Sequence, residues 1–136
     1  MKLWFGLEWS SQSSIRSIDL INMFLKVEND FSHKLVGDSK LSISIIIICR
    51  QEMLKQRCRL SKAEMGLSFD IILNFQTLSY IHPDEQVSYI IKAIVSETRV
   101  VLNKYKLADF DKELFLEEFD KSLKNYSATI KPKQLI

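Results

Sequence analysis

Acid–base catalysis needs groups that converge on one site and titrate near neutrality, and the only histidines available for it are His33 and His82. His33 falls on the polar side of an expected helix. His82 stands directly before Pro83 at a helix start, where capping is a sufficient account of an imidazole, and neither has the orienting partner that triad chemistry requires. Thiol chemistry has no better footing. Cys49 ends an isoleucine run and Cys58 follows Arg57, without C-x-x-C spacing, so both read as reduced thiols behaving like small apolar residues. Neither H-E-x-x-H nor paired C-x-x-C spacing occurs, and a chain with three glycines has no loop to cradle a phosphate. Neither an enzyme nor a cofactor is expected.

What remains is charge, and one tryptophan. Asp109, Asp111, Glu113, Glu117, Glu118 and Asp120 make the start and outer face of the last helix acidic, with Lys112 the one cation in that stretch. Such a face is either a solvated surface helped by the helix dipole or a docking surface for a basic partner. Arg50, Lys55, Arg57, Arg59 and Lys62 crowd an expected hairpin between the second and third strands. They fit a charged edge that discourages sheet-to-sheet pairing. The alternative is a small RNA-binding module around Arg57 and Arg59, and the lack of an aromatic stacking series beside them argues against it. A third surface is the sheet face turned away from the helices, which would carry Trp4, Glu8 and Asp70. An exposed tryptophan among polar residues there resembles an interface anchor, and the alternative is that Trp4 packs on Ile46 or Ile48 across the sheet.

The elements that position these groups follow from hydrophobic period. Leu3, Phe5, Leu7 and Trp9 alternate with Lys2, Trp4, Gly6 and Glu8, the pattern of a strand with one face in a core. Serines of the Ser10 to Ser14 connector are N-cap candidates for a helix reaching about Val36, with Leu20, Phe24, Val27, Phe31 and Leu35 on one stripe and Lys34 and Gly37 at its end. Leu41 to Arg50 begins with period two and becomes continuous isoleucine, which predicts a strand central in its sheet. A third strand is expected at Arg57 to Ser61. A fourth runs from Leu67 to Phe75, with Gly66 marking a bend or bulge before it. His82-Pro83-Asp84-Glu85 starts a long helix to about Lys106, with Val87, Ile91, Ile94, Thr98, Val101 and Tyr105 inward. A last helix near Asp111 to Tyr126 turns Phe115, Phe119 and Leu123 inward.

The expected fold is α+β: an antiparallel sheet of about four strands, covered on one face by three helices in the order β-α-β-β-β-α-α. The 136 residues, 46% hydrophobic and 26% charged, fit one domain over 1–126 with a flexible tail over 127–136. A net charge of +2 is too small to imply a nucleic-acid or membrane partner. The longest apolar run, Ile45 to Cys49, is five residues, against the ~20 a bilayer span needs. A strand that begins at the initiator methionine points to the cytoplasm.

Taken in order, Met1-Lys2-Leu3-Trp4 with Glu8, the Leu20 to Leu35 helix, the Ile43 to Ile48 strand, the Leu67 to Phe75 strand and the Asp84-Glu85-Gln86 helix resemble a known group. They are similar to the small α+β immunity proteins of bacterial polymorphic-toxin and contact-dependent growth inhibition systems, over roughly residues 1 to 125. That group tends to place glycine directly before the glutamate, whereas here Leu7 separates Gly6 from Glu8. The resemblance implies a non-catalytic cytoplasmic inhibitor that binds one cognate toxin domain and blocks its active site or its approach to substrate. A nuclease is the toxin class expected, met by the acidic final helix.

Overall fold

The computed structural model describes residues 1–10, 12–33, 40–50, 55–61 and 65–133. Four strands, β1 (Lys2–Glu8), β2 (Ser42–Arg50), β3 (Cys58–Leu60) and β4 (Gly66–Asn74), form one sheet in the order β1-β2-β4-β3. Four helices follow the chain as α1 (Ser17–Ser32), α2 (Phe75–Ser79), α3 (Pro83–Lys104) and α4 (Lys112–Ser127). The α+β class and the central place of β2 stand as expected. The antiparallel sheet does not: β1 pairs parallel with β2, β2 pairs parallel with β4, and only β3 with β4 is antiparallel. The reason lies in the connections. A helix between neighbouring strands carries the chain back to its starting end, so α1 makes β1 and β2 parallel. β3 then takes the edge, leaving the place beside β2 to β4. Consequently the cationic stretch between β2 and β3 is not a hairpin, because β4 separates those two strands.

The helices cover one face of the sheet. Leu3, Ile43, Ile45, Ile47, Leu67, Phe69 and Ile71 point into them and are buried. From α1 come Leu20, Met23, Phe24, Val27 and Phe31, on the stripe that the sequence predicts, whereas Leu35 and the helix-stop residues Lys34 and Gly37 lie outside the described residues. α3 adds Ile90, Ile91, Ile94, Thr98, Val101 and Leu102, and α4 adds Phe115, Leu116, Phe119 and Leu123. Phenylalanines tie the layers together. Phe5 of β1 stacks on Phe24 at 4.4 Å and on Phe119 at 6.0 Å between ring centroids, and Phe119 in turn stacks on Phe115 at 5.2 Å. Aromatic contacts at these separations add to the stabilisation from area burial.

Polar staples fix the helices on that core. Asp30 of α1 accepts from Ser122 Oγ at 2.8 Å and from Tyr126 Oη at 2.9 Å, both on α4. Gln86 of α3, buried, accepts from Ser14 Oγ and donates to the carbonyls of Leu78 at 3.1 Å and Ile81 at 2.9 Å. The connector serines therefore do not cap α1. Arg16 occupies its N-cap position without a side-chain capping bond, while Ser13 Oγ accepts from Ile15 N–H and Ser14 is committed to Gln86. Gly66 forms no bulge either; it is the first residue of β4, in register with Ser42. Beyond α4, Ile130 packs against the core and Lys133 N–H donates to the Ser14 carbonyl at 2.6 Å.

β1 is an edge strand, and α1 packs against it. Glu28 of α1 is partly buried; burial pushes its carboxyl above the ordinary Glu value, and attraction to the Phe5 backbone amide pulls it partly back. A carboxyl whose folded pKa is raised binds its proton more tightly in the folded state. Ionised Glu28 thus costs stability at every pH above the ordinary Glu range. Glu28→Gln is expected to raise Tm at neutral pH, with the gain fading as the pH falls from the raised folded value toward the ordinary Glu range. Thermal melts across that range check it, and a gain that persists unchanged in acid would remove the ionisation as its cause.

Candidate functional site

Alternation along parallel, in-register strands puts the even-numbered residues of β1, β2 and β4 on the face the helices leave open. One row across that face reads Trp4, Ser44, Ser68 and Arg59. The next reads Gly6, Ile46 and Asp70, and the one beyond it Glu8, Ile48 and Ile72. Trp4 is 55% exposed, because its neighbours along the row are serines too short to cover an indole. Gly6 keeps the adjoining row low: a Cβ there would lie 3.3 Å from Ile46 Cγ1. Trp4 therefore stands on a shallow shelf about 14 Å wide from β1 to β3.

At the other end of the face two carboxylates sit among cations. Asp70 lies on β4 with its side chain 4% exposed, and its Oδ2 takes Arg57 Nε at 2.7 Å and Arg57 N–H at 3.3 Å. Its backbone is held as well, since Gln56 Nε2 donates to the Asp70 carbonyl at 2.6 Å and Asp70 N–H donates to the Arg57 carbonyl at 3.0 Å. The hydrogen bond and charge of Asp70 hold the Arg57 guanidinium even more firmly protonated than usual. Glu8 on β1 pairs with Arg50 on β2. Together Glu8, Ile48, Arg50, Lys55, Arg57 and Asp70 line a depression of about 330 Å³. Trp4, Glu8 and Asp70, assigned to one face from alternation alone, do share it. What alternation does not give is that Arg57 and Arg50 are the partners of those carboxylates, which requires knowing that β3 pairs with β4 and β1 with β2.

The acidic helix is differently arranged. α4 packs on α1 and α3, on the far side of the molecule from the open face. Asp111 is its N-cap, accepting from Leu114 N–H at 3.1 Å; Glu113 pairs with Arg99 at 3.2 Å and Asp120 with Lys124 at 2.9 Å. Asp109 holds the short connection before the helix in a left-handed conformation, with φ of 47°. Glu117 is exposed and Glu118 is partly covered. Several of the six carboxylates thus serve the fold locally.

The residues weighed for catalysis are accounted for by structure. His82 Nδ1 accepts from Asp84 N–H at 3.2 Å as the cap of α3, and His33 ends α1. Burial pushes the Cys49 thiol up to about 11 and raises Cys58 as well, so neither is a ready thiolate. Among the described residues, no group of three His, Cys, Asp or Glu side chains is placed to hold a metal, and no helix is long and apolar enough to cross a membrane.

Compared with families of known proteins, residues 1–125 match the model of immunity protein 44. The chain belongs to the immunity protein 44 family. It is thus an immunity protein of a polymorphic-toxin type system, a class whose partner is a protein toxin and whose members are generally non-catalytic. No curated protein and no solved structure matches it. The match spans β1 through nearly all of α4, so both the open sheet face and the acidic helix of this immunity protein lie within the family's extent.

Proposed function

We propose that this immunity protein neutralises its cognate toxin domain by docking the open face of its sheet on the toxin, anchored by Trp4, and so blocking the toxin's active site or its access to substrate. The observation that carries the reading is the 55% exposed Trp4 on a face bordered by Arg50, Arg57 and Arg59. Tryptophan and arginine are enriched at the centres of protein interfaces, and Lys, Glu and Asp are depleted there. The encounter is proposed to take place in the cytoplasm, with contact-dependent growth inhibition as the route of toxin delivery. The test is co-expression with the toxin domain encoded by the neighbouring gene. Rescue of growth and a stable complex are the expected results; neither rescue nor complex would defeat the reading.

A second reading assigns the interface to α4, because Glu117 is exposed and Glu113, Asp120, Asp109, Asp111 and Glu118 surround it. It goes with a nuclease as the toxin, since domains that act on nucleic acid carry basic clefts. Changing Glu113, Glu117 and Asp120 together to lysine separates the two. With the sheet face as interface, the triple variant folds and, at about 0.15 M salt where the Debye length is about 8 Å, associates within about twofold of the parent rate, because exposed charges far from the contact are screened. Slowing by about tenfold or more, relieved by salt, would move the interface to α4.

A further inference from the structure

The depression at the Glu8 end of the open face is unbalanced in charge. Three cations, Arg50, Lys55 and Arg57, line it with two carboxylates, Glu8 and Asp70. Glu8 and Asp70 are already engaged by Arg50 and Arg57, whereas Lys55 is exposed and has no acidic partner among the described residues. Ile48 gives the depression an apolar lining residue that is 3% exposed. The wider face has the same sign, with Lys2 and Arg59 adding to the cations and no further carboxylate on the described strands.

We propose that this depression receives an Asp or Glu side chain from an acidic segment of the toxin, paired with Lys55 and the outer edges of Arg50 and Arg57. The proposal rests on the sheet-face docking reading and adds the chemistry of the partner. One incoming carboxylate neutralises the single excess cation of the depression. A polyanion fits less well, because Asp70 on β4 stands between Arg50 and Arg57 and Glu8 flanks Arg50 on the β1 edge, so both carboxylates repel successive phosphates, and Trp4 offers one stacking platform rather than a series. Trp4 and Glu8 lie four residues apart on β1, about 13 Å, so one acidic segment beside an apolar contact reaches both. The toxin surface contacted is therefore acidic, unlike a nucleic-acid cleft.

Lys55→Glu, Lys55→Met and Trp4→Ala, each checked for folding by circular dichroism, should be titrated against the purified cognate toxin domain at low and moderate salt. Lys55→Glu is expected to weaken binding by about tenfold or more at low salt, with Lys55→Met between it and the parent. One Asp→Lys or Glu→Lys variant from a scan of the toxin's exposed acids should restore the affinity of Lys55→Glu. If Trp4→Ala weakens the complex and Lys55→Glu does not, the depression is not a carboxylate site, while the docking face stands. When neither weakens it, the docking face itself is wrong. Each protein is also titrated with a fluorescent 20-nucleotide RNA; binding by the parent that Lys55→Glu abolishes, with toxin affinity unchanged, would overturn the proposal in favour of phosphate.

Discussion

Trp4→Ala is expected to weaken the complex with the cognate toxin by about 2–4 kcal/mol, or roughly 30- to 700-fold in Kd, while leaving the fold intact. Both halves follow from position. Trp4 is 55% exposed on a face no helix covers, so removing the indole opens no cavity. Exposed substitutions of that kind usually change stability by no more than about 0.5 kcal/mol. Its neighbours Ser44 and Ser68 supply no competing apolar surface, so the indole carries most of the area a partner could dehydrate on that row. The loss should fall mainly on the dissociation rate, since the contact forms only after docking. Surface plasmon resonance with a matched urea melt would separate the halves. A variant that melts like the parent and binds within about threefold would take the anchor away from Trp4.

The largest effect on stability belongs to Phe119→Ala, at about 3–5 kcal/mol. Phe119 is fully buried and joins three elements: it stacks on Phe5 of β1 and Phe115 of α4 and meets Phe31 of α1 edge-on at 6.2 Å. Truncation leaves a void bounded by rings that belong to a sheet and two helices, and none can follow the missing atoms without leaving its own contacts. Since a domain of this kind has only about 5–15 kcal/mol of net stability, the variant should sit near the edge of folding at growth temperature. Urea unfolding reads this as a lower midpoint at unchanged slope. Phe119→Leu should recover much of the loss, and an alanine variant that loses less than about 1 kcal/mol would mean that the α1–α4–β1 junction is packed otherwise.

Local chemistry reached a long way in this chain. The alternation of Leu3, Phe5 and Leu7 with Trp4 and Glu8 determined that Trp4 stands on the face away from the core, because a pleated strand sends successive side chains to opposite sides. The isoleucine run placed β2 at the centre of the sheet, and the Phe24, Val27 and Phe31 stripe gave the buried side of α1. His82-Pro83-Asp84 marked the start of α3 because each residue type suits a helix's unpaired amides. The order of elements, with Trp4 and Glu8 in the first strand, also carried the resemblance to immunity proteins. None of these readings needs contacts between distant segments.

What the tertiary structure alone decided is which strands are neighbours, and with that the electrostatics of the open face. The sequence reading made Arg57 and Arg59 part of a β2–β3 hairpin and set Glu8 apart from them. The antiparallel pairing of β3 with β4 puts Arg57 beside Asp70, and the parallel pairing of β1 with β2 puts Arg50 beside Glu8, so a basic stretch becomes a mixed-charge depression with one cation in excess. The connector's Ser14 likewise went to Gln86 on α3 instead of the start of α1. Strand pairing depends on the path of the connections and on which partner buries the most apolar surface, both sums over residues far apart in the chain. A strand's own alternation fixes which way its side chains face, and is silent about which strand lies beside it.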